Sequence, residues 1–171
     1  LFRSADFTGR PFYTYYDGTG KELDGQPDWE NKTGHGFSIE KDKQYGIISV
    51  IKEIQEIAKE CGVEKDLKFF ASSWTPPGWM KVATSSSQSC ENNELLLKGG
   101  KLNDVYIDEL GKYYVRFIEE YQKAGIPIYA MTLQNEPLLE IDYPSCYITG
   151  GQEAKLAKAI KQELAKSKVL N

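Results

Sequence analysis

Between Ser38 and Cys61, apolar residues return at helical spacing: Ile47, Ile48, Ile51, Ile54, Ile57 and Ala58 share one face. The pattern predicts a helix there. Ser38 is placed to cap its start, and Gly62 follows its end, where a left-handed residue is needed. The next segment, "LKFFASS" (Leu67 to Ser73), is a short apolar run that predicts a buried strand. A second helical face is built from Ile107, Leu110, Tyr114, Phe117, Ile118 and Tyr121. Asn103 can cap this helix, Gly125 ends it, and Pro127 discourages its continuation. "IPIYAMTL" (Ile126 to Leu133) is continuously apolar, as a parallel strand covered on both faces requires. A third helix is predicted near Thr149, which stands in capping-box spacing with Gln152; Leu156, Ala157, Ile160 and Leu164 form its apolar face. "TSSSQSCENN" (Thr84 to Asn93) has no apolar period and reads as a polar loop.

Helix, strand, helix, strand, helix indicates parallel α/β architecture. Both strands run into polar or aromatic residues and then long loops. That is the polarity of a (β/α)8 TIM barrel, whose active site collects at the C-terminal strand ends. A flavodoxin-like open sheet shares the alternation. It usually carries a phosphate-binding glycine pattern or a cofactor site at a switch point, and neither is visible here.

Composition adds exclusions. The 171 residues are 40 % hydrophobic and 27 % charged, the balance of one globular domain. Net charge is -4 with the signs well mixed, so no basic stripe points to nucleic acid. No apolar run approaches membrane-spanning length. "LFRSADFTGR" lacks the basic head and apolar core of a signal peptide, and without an initiator Met it reads as the interior of a longer protein. Cys61, Cys90 and Cys146 lack zinc-type spacing, and the lone His35 cannot complete a Cys/His site, so no metal or other cofactor is expected. Free or buried thiols are the preferred reading; a Cys90–Cys146 disulfide is the alternative.

Candidate chemistry gathers at the predicted strand ends. In "TLQNEPL" (Thr132 to Leu138), Glu136 is a candidate general acid if its surroundings raise its pKa. Asn135 beside it can hold a substrate hydroxyl, and Pro137 stops the strand. Glycoside hydrolysis needs such a carboxyl group to protonate the departing oxygen. A surface glutamate on a loop is the plain alternative. "ASSWTPPGWMK" (Ala71 to Lys81) places Trp74 directly after the other strand, where an indole face can stack on a sugar ring. Core packing is the alternative for Trp74 and the preferred reading for Trp79. In "RSADFTGRPFYTYYD", Asp6 can bind two sugar hydroxyls, although on composition alone a turn-forming Asp is the preferred reading. In "DYPSCY", Tyr143 can reach the same mouth.

Taken together, "SADFTGRPFYTYYD", "FSIEKD", "FFASSWTPPGWMK", "GKYYVRFIEEYQKAGIPIYAMTLQNEP" and "DYPSCY" resemble glycoside hydrolase family 30, in the family's order and nearly at its spacing. The resemblance implies a retaining β-glycosidase acting on a carbohydrate or glycoside. It implies that Glu136 is the acid/base carboxylate after the fourth strand, and that Asn135 touches the sugar 2-hydroxyl. It implies that Trp74 and Asp6 line the subsite for the non-reducing sugar, with Tyr143 at its edge. The family's nucleophile glutamate, after the seventh strand, has no counterpart here. Nor does an arginine expected just upstream of Leu1. Residues 1–171 therefore read as an incomplete barrel, from the end of strand 2 through helix 4, without the family's β-sandwich side domain. The remainder of the barrel would be needed to close the fold, and the chain alone is expected to be inactive. The family also implies a secreted or extracytoplasmic setting. A clan-related endo-glycanase and a non-catalytic sugar-binding barrel are the rival readings. Within the family, glucosylceramide, β-1,6-glucan, xylosides and fucosides all stay open.

Overall fold

The computed structural model describes residues 12–170. Asp6 lies outside them. The ordered elements are α1 (Glu40–Gln44), α2 (Ile47–Glu60), β1 (Phe69–Ser72), β2 (Lys81–Val82), α3 (Ser85–Gln88), β3 (Lys101–Leu102), α4 (Ile107–Lys123), β4 (Ile128–Thr132) and α5 (Gly150–Lys166).

The first predicted helix is two helices. Gly46 adopts φ +80°, a conformation that costs glycine little, and it ends α1 and starts α2. Its N–H bonds the Lys43 carbonyl behind it, while its own carbonyl accepts from Val50 ahead. Ser38 lies one residue before the cap of α1, Ile39, and its Oγ accepts from the Glu40 N–H at 3.1 Å. Gly62 closes α2 at φ +69°, as expected. Of the predicted apolar face, Ile51 and Ala58 are buried and Ile47 and Ile48 pack against the core, but Ile57 is 52 % exposed.

Asn103 Oδ1 accepts from the Val105 N–H and starts a 3-10 turn that runs into α4. The predicted face of α4 is buried: Leu110, Tyr114, Phe117 and Tyr121 form the centre of the core, with Ile118 at its margin. Helix α5 begins with the capping box expected of Thr149 and Gln152. It lies along α4, with Leu156 and Ala159 inward. Ala157, expected inward, is exposed. Gly111 of α4 faces Ala159 so closely that an added Cβ would come within 2.9 Å of the alanine methyl, and this approach accounts for glycine at 111.

Strands β1 and β4 pair in parallel, Phe70 with Ala130 and Ser72 with Thr132, and this register ends both strands at one level. A parallel pair with helices between its strands is the repeating unit of a TIM barrel, and the described residues form part of such a barrel without closing it. Both strands were expected to be buried, the second on both faces. Instead Phe70 is 45 % and Tyr129 71 % exposed, because each strand has a sheet neighbour on one side among the described residues. The segment read as a polar loop also holds structure. Thr84 and Ser87 form a capping box on α3, and β2 and β3, which flank it in the chain, pair antiparallel. Gly78 is required where this segment returns, since an added Cβ would sit 1.8 Å from the Leu95 carbonyl oxygen.

Trp79 packs edge-on against Tyr16 and Tyr106, as its packing reading anticipated. The buried carboxylate of Asp42 accepts hydrogen bonds from Tyr13 at 2.6 Å, Tyr15 at 2.8 Å and Tyr121, pinning α1 and the segment before it to α4. The three cysteine thiols are unpaired. No described helix is long and apolar enough to cross a membrane.

Candidate active site

The shared level of β1 and β4 decides where their exits meet. Ser72 and Thr132 hydroxyls contact at 2.8 Å in the last paired row. One step on, the Asn135 N–H donates to the Ser73 carbonyl at 2.7 Å. Gln134, buried between the exits, donates through Nε2 to the Trp74 carbonyl at 2.7 Å and to the Asn135 carbonyl at 3.1 Å. Tyr114 of α4 donates to the Leu133 carbonyl at 2.7 Å from below. Three of the predicted site residues, Trp74, Asn135 and Glu136, are thus brought to one edge by the β1–β4 pairing and the side-chain bonds at the two exits.

Glu136 has an unusual backbone. Its φ is +46°, in the left-handed region that L residues with long side chains avoid. Pro137 closes off the right-handed helical region for the residue before it. The Leu139 N–H then bonds the Glu136 carbonyl at 3.0 Å and completes a tight turn. The turn leaves the Glu136 carboxylate exposed at the strand end. Asn135 Nδ2 donates to its Oε2 at 3.5 Å, and the Tyr143 hydroxyl donates to the same oxygen at 3.3 Å. The Tyr143 ring meets the Trp74 ring with centroids 5.5 Å apart and planes tilted by 54°. Trp74, Asn135, Glu136 and Tyr143 therefore form one constellation: a carboxylate with two donors on one oxygen, beside an aromatic wall. Such an arrangement can offer an aromatic face to an apolar surface and hydrogen-bonding groups to polar atoms of a ligand.

The other carboxylates of the loop are engaged elsewhere. Glu140 Oε2 accepts from the Gly100 N–H at 2.9 Å and from the Thr84 hydroxyl. Asp142 pairs with Lys98 at 2.8 Å, and that hydrogen bond holds its pKa below the usual carboxylate range. Both serve to fasten the loop carrying Tyr143 to residues 84–100. No group of His, Cys, Asp or Glu able to hold a metal ion occurs among the described residues. A cavity of about 560 Å³ lies between α2, α4 and the two strands, but Glu136, Asn135 and Tyr143 do not line it.

The sequence reading missed Gln134, whose buried side chain ties the two strand exits. The signal for Gln134 was present in "LQNE", where a third polar residue extends the strand end.

Comparison with known proteins places these features in context. The glycosyl hydrolase family 30 TIM-barrel domain matches residues 2–157. The chain is 30 % identical over 158 residues to the endo-1,6-beta-D-glucanase neg1 of Aspergillus fumigatus, covering 90 % of this chain and 29 % of that one. It is 32 % identical over 139 residues to the putative glucosylceramidase 1 of Caenorhabditis elegans, covering 81 % of this chain and 22 % of that one. Among solved structures, the endo-beta1,6-glucanase BT3312 superposes with a TM-score of 0.68 at 26 % identity, over 94 % of this chain and 31 % of that one. The chain thus spans less than a third of the length of each of these relatives.

Proposed function

The chain belongs to glycosyl hydrolase family 30, and from that premise we propose that it is the part of a retaining β-glycosidase barrel that carries the acid/base carboxylate, Glu136. In the first step Glu136 protonates the glycosidic oxygen as the bond to the sugar breaks. In the second it takes a proton from the water that releases the sugar. Asn135 holds the sugar 2-hydroxyl, Trp74 stacks on the ring, and Tyr143 orients the carboxylate. Asp6, outside the described residues, is proposed to bind sugar hydroxyls in the same subsite.

The observation that supports this reading is the strained backbone of Glu136. A long acidic side chain occupies a left-handed position at a strand end, where glycine or asparagine would sit more comfortably. Strain held at a strand end beside two donors and an aromatic pair is readily understood as a demand of function.

A retaining mechanism needs a second carboxylate about 5–5.5 Å from the first, to attack the anomeric carbon. Glu140 and Asp142 are tied to other partners. The nucleophile is therefore proposed to come from a later barrel strand, and residues 1–171 alone are proposed to be an incomplete, inactive part of the barrel. Relatives named as 1,6-β-glucanases and as glucosylceramidases make a β-linked glucosyl unit the proposed substrate.

The test is Glu136→Gln in the complete barrel. Turnover of unactivated β-glucosides should fall by about 10²–10⁴-fold, the usual contribution of a positioned acid or base. Aryl glycosides with good leaving groups should still release one equivalent of phenol, because that departure needs little protonation. Unchanged turnover of unactivated substrates would rule out Glu136 as the acid/base. Sugar binding without turnover in the wild-type barrel would instead make the protein a sugar-binding module.

A further inference from the structure

Lys81 has no part in the reaction above, yet its side chain is buried. Its Nζ donates to the Thr75 hydroxyl at 2.9 Å, the Ser145 carbonyl at 2.9 Å and the Leu97 carbonyl at 3.2 Å. These bonds account for all three protons of an ammonium group. Each acceptor comes from a different segment. Thr75 directly follows Trp74. Ser145 follows Tyr143 by two residues. Leu97 belongs to the segment that fastens the Tyr143 loop, and its carbonyl also accepts from the Ser145 N–H at 3.2 Å. The root of the lysine is fixed as well, because Lys81 pairs with Leu102 between β2 and β3.

None of the three acceptors is a carboxylate. Lys81 is thus not explained as half of a salt bridge, and burial pushes its pKa down to about 8. What the ammonium does have is a geometry matched to three oxygens on three converging segments. A planar guanidinium would not reproduce it.

We propose that Lys81 is a positioning residue for the candidate site. It fixes the spacing of the Trp74 segment and the Tyr143 loop. In doing so it sets the aromatic pair and, through the Tyr143 hydroxyl, the orientation of the Glu136 carboxylate. The kinetic half of this inference rests on the reading of the site given above; the structural half does not.

The experiment uses the complete barrel with Lys81→Met, Tyr143→Phe and the double substitution. Two readouts are taken on folded protein. The first is amide hydrogen exchange. Lys81→Met should speed exchange at Ser145 and Tyr147 by about tenfold or more, while amides in the middle of α4 stay unchanged. The second is kcat/KM on a β-glucoside. Each single substitution should lower it about 10- to 100-fold, the scale expected of a misplaced catalytic group. The double should lose clearly less than the product of the two single losses, because part of the effect of Lys81 runs through the Tyr143 hydroxyl. Unchanged exchange at Ser145 and Tyr147, or multiplying kinetic losses, would overturn the proposal. Should Lys81→Met fail to fold, Thr75→Val removes one acceptor and should give the same exchange pattern at smaller amplitude; its absence would overturn the proposal equally. If the exchange pattern appears while Glu136→Gln leaves turnover intact, the tether stands and the catalytic reading falls.

Discussion

Replacing Glu136 by glycine should stabilise the protein relative to replacing it by alanine, while both substitutions abolish turnover. At φ +46°, an L residue carries a cost of about 1–2 kcal/mol relative to the right-handed region. Glycine escapes that cost but loses about 0.5–1 kcal/mol more backbone entropy on folding than alanine. The difference favours glycine by about 0.5–1 kcal/mol. Comparing Gly with Ala removes the side chain from the account, since neither can make the contacts of glutamate. Those contacts are weak in any case. The two hydrogen bonds to Oε2 are 3.3 and 3.5 Å long, and the group is exposed, so together they contribute well under about 1 kcal/mol. Wild type should therefore be no more stable than Glu136→Gly. Thermal unfolding of the complete barrel is a suitable assay, where about 1 kcal/mol corresponds to roughly 2–4 °C in Tm. A glycine variant less stable than the alanine variant would refute the reasoning. It would mean that residue 136 is not held in the left-handed region in solution, and the support drawn from its strain would be withdrawn.

Trp74→Ala should weaken β-glucoside binding by about 3- to 10-fold, the scale of a lost aromatic contact, with the Tm little changed; a collapse of Tm would assign Trp74 to packing instead. Tyr121→Phe removes one of three hydroxyl donors from the buried Asp42 carboxylate and should cost about 1.5–3 kcal/mol in chemical denaturation. Burial raises the pKa of Asp42 above 3.8 despite those donors. The folded state thus binds its proton more readily than the unfolded chain. The resulting stabilisation is fully present below about pH 3.8 and is lost as pH rises through the folded value. Stability of wild type relative to Asp42→Asn should accordingly fall as pH rises across that window, and a flat difference would contradict the assignment.

The legible parts of the fold share one trait: their signals are local. The capping box at Thr149 and Gln152, the cap at Asn103 and the left-handed glycines Gly62 and Gly125 all act within one or two turns of their own helix. The face of α4 was legible because a helix that packs on one side repeats its apolar positions at a fixed period. The break at Gly46 was missed because the apolar face that marks the helix begins only at Ile47, just past the break, and so carries no record of it.

Exposure of the strands was misjudged for a different reason. An apolar run states that a strand is suited to be covered, and coverage depends on neighbours far away in the chain. Tyr129 and Phe70 meet that composition and remain open.

For the site, the residue types and their place at strand ends were determined by the sequence itself. A polar "QNE" after an apolar run, stopped by proline, puts a carboxylate where a parallel strand ends, and Trp74 follows the other strand in the same way. What the tertiary structure alone decided is how these ends meet. The register of β1 with β4 sets Asn135 against Ser73. The buried amide of Gln134 ties the two exits. The three bonds of Lys81 draw the Trp74 and Tyr143 segments together. The Gln134 bond and the Lys81 bond to Ser145 span 60 and 64 positions, and a hydrogen bond between distant segments leaves no period in the sequence. It exists only once the chain has paid the entropy of bringing them together.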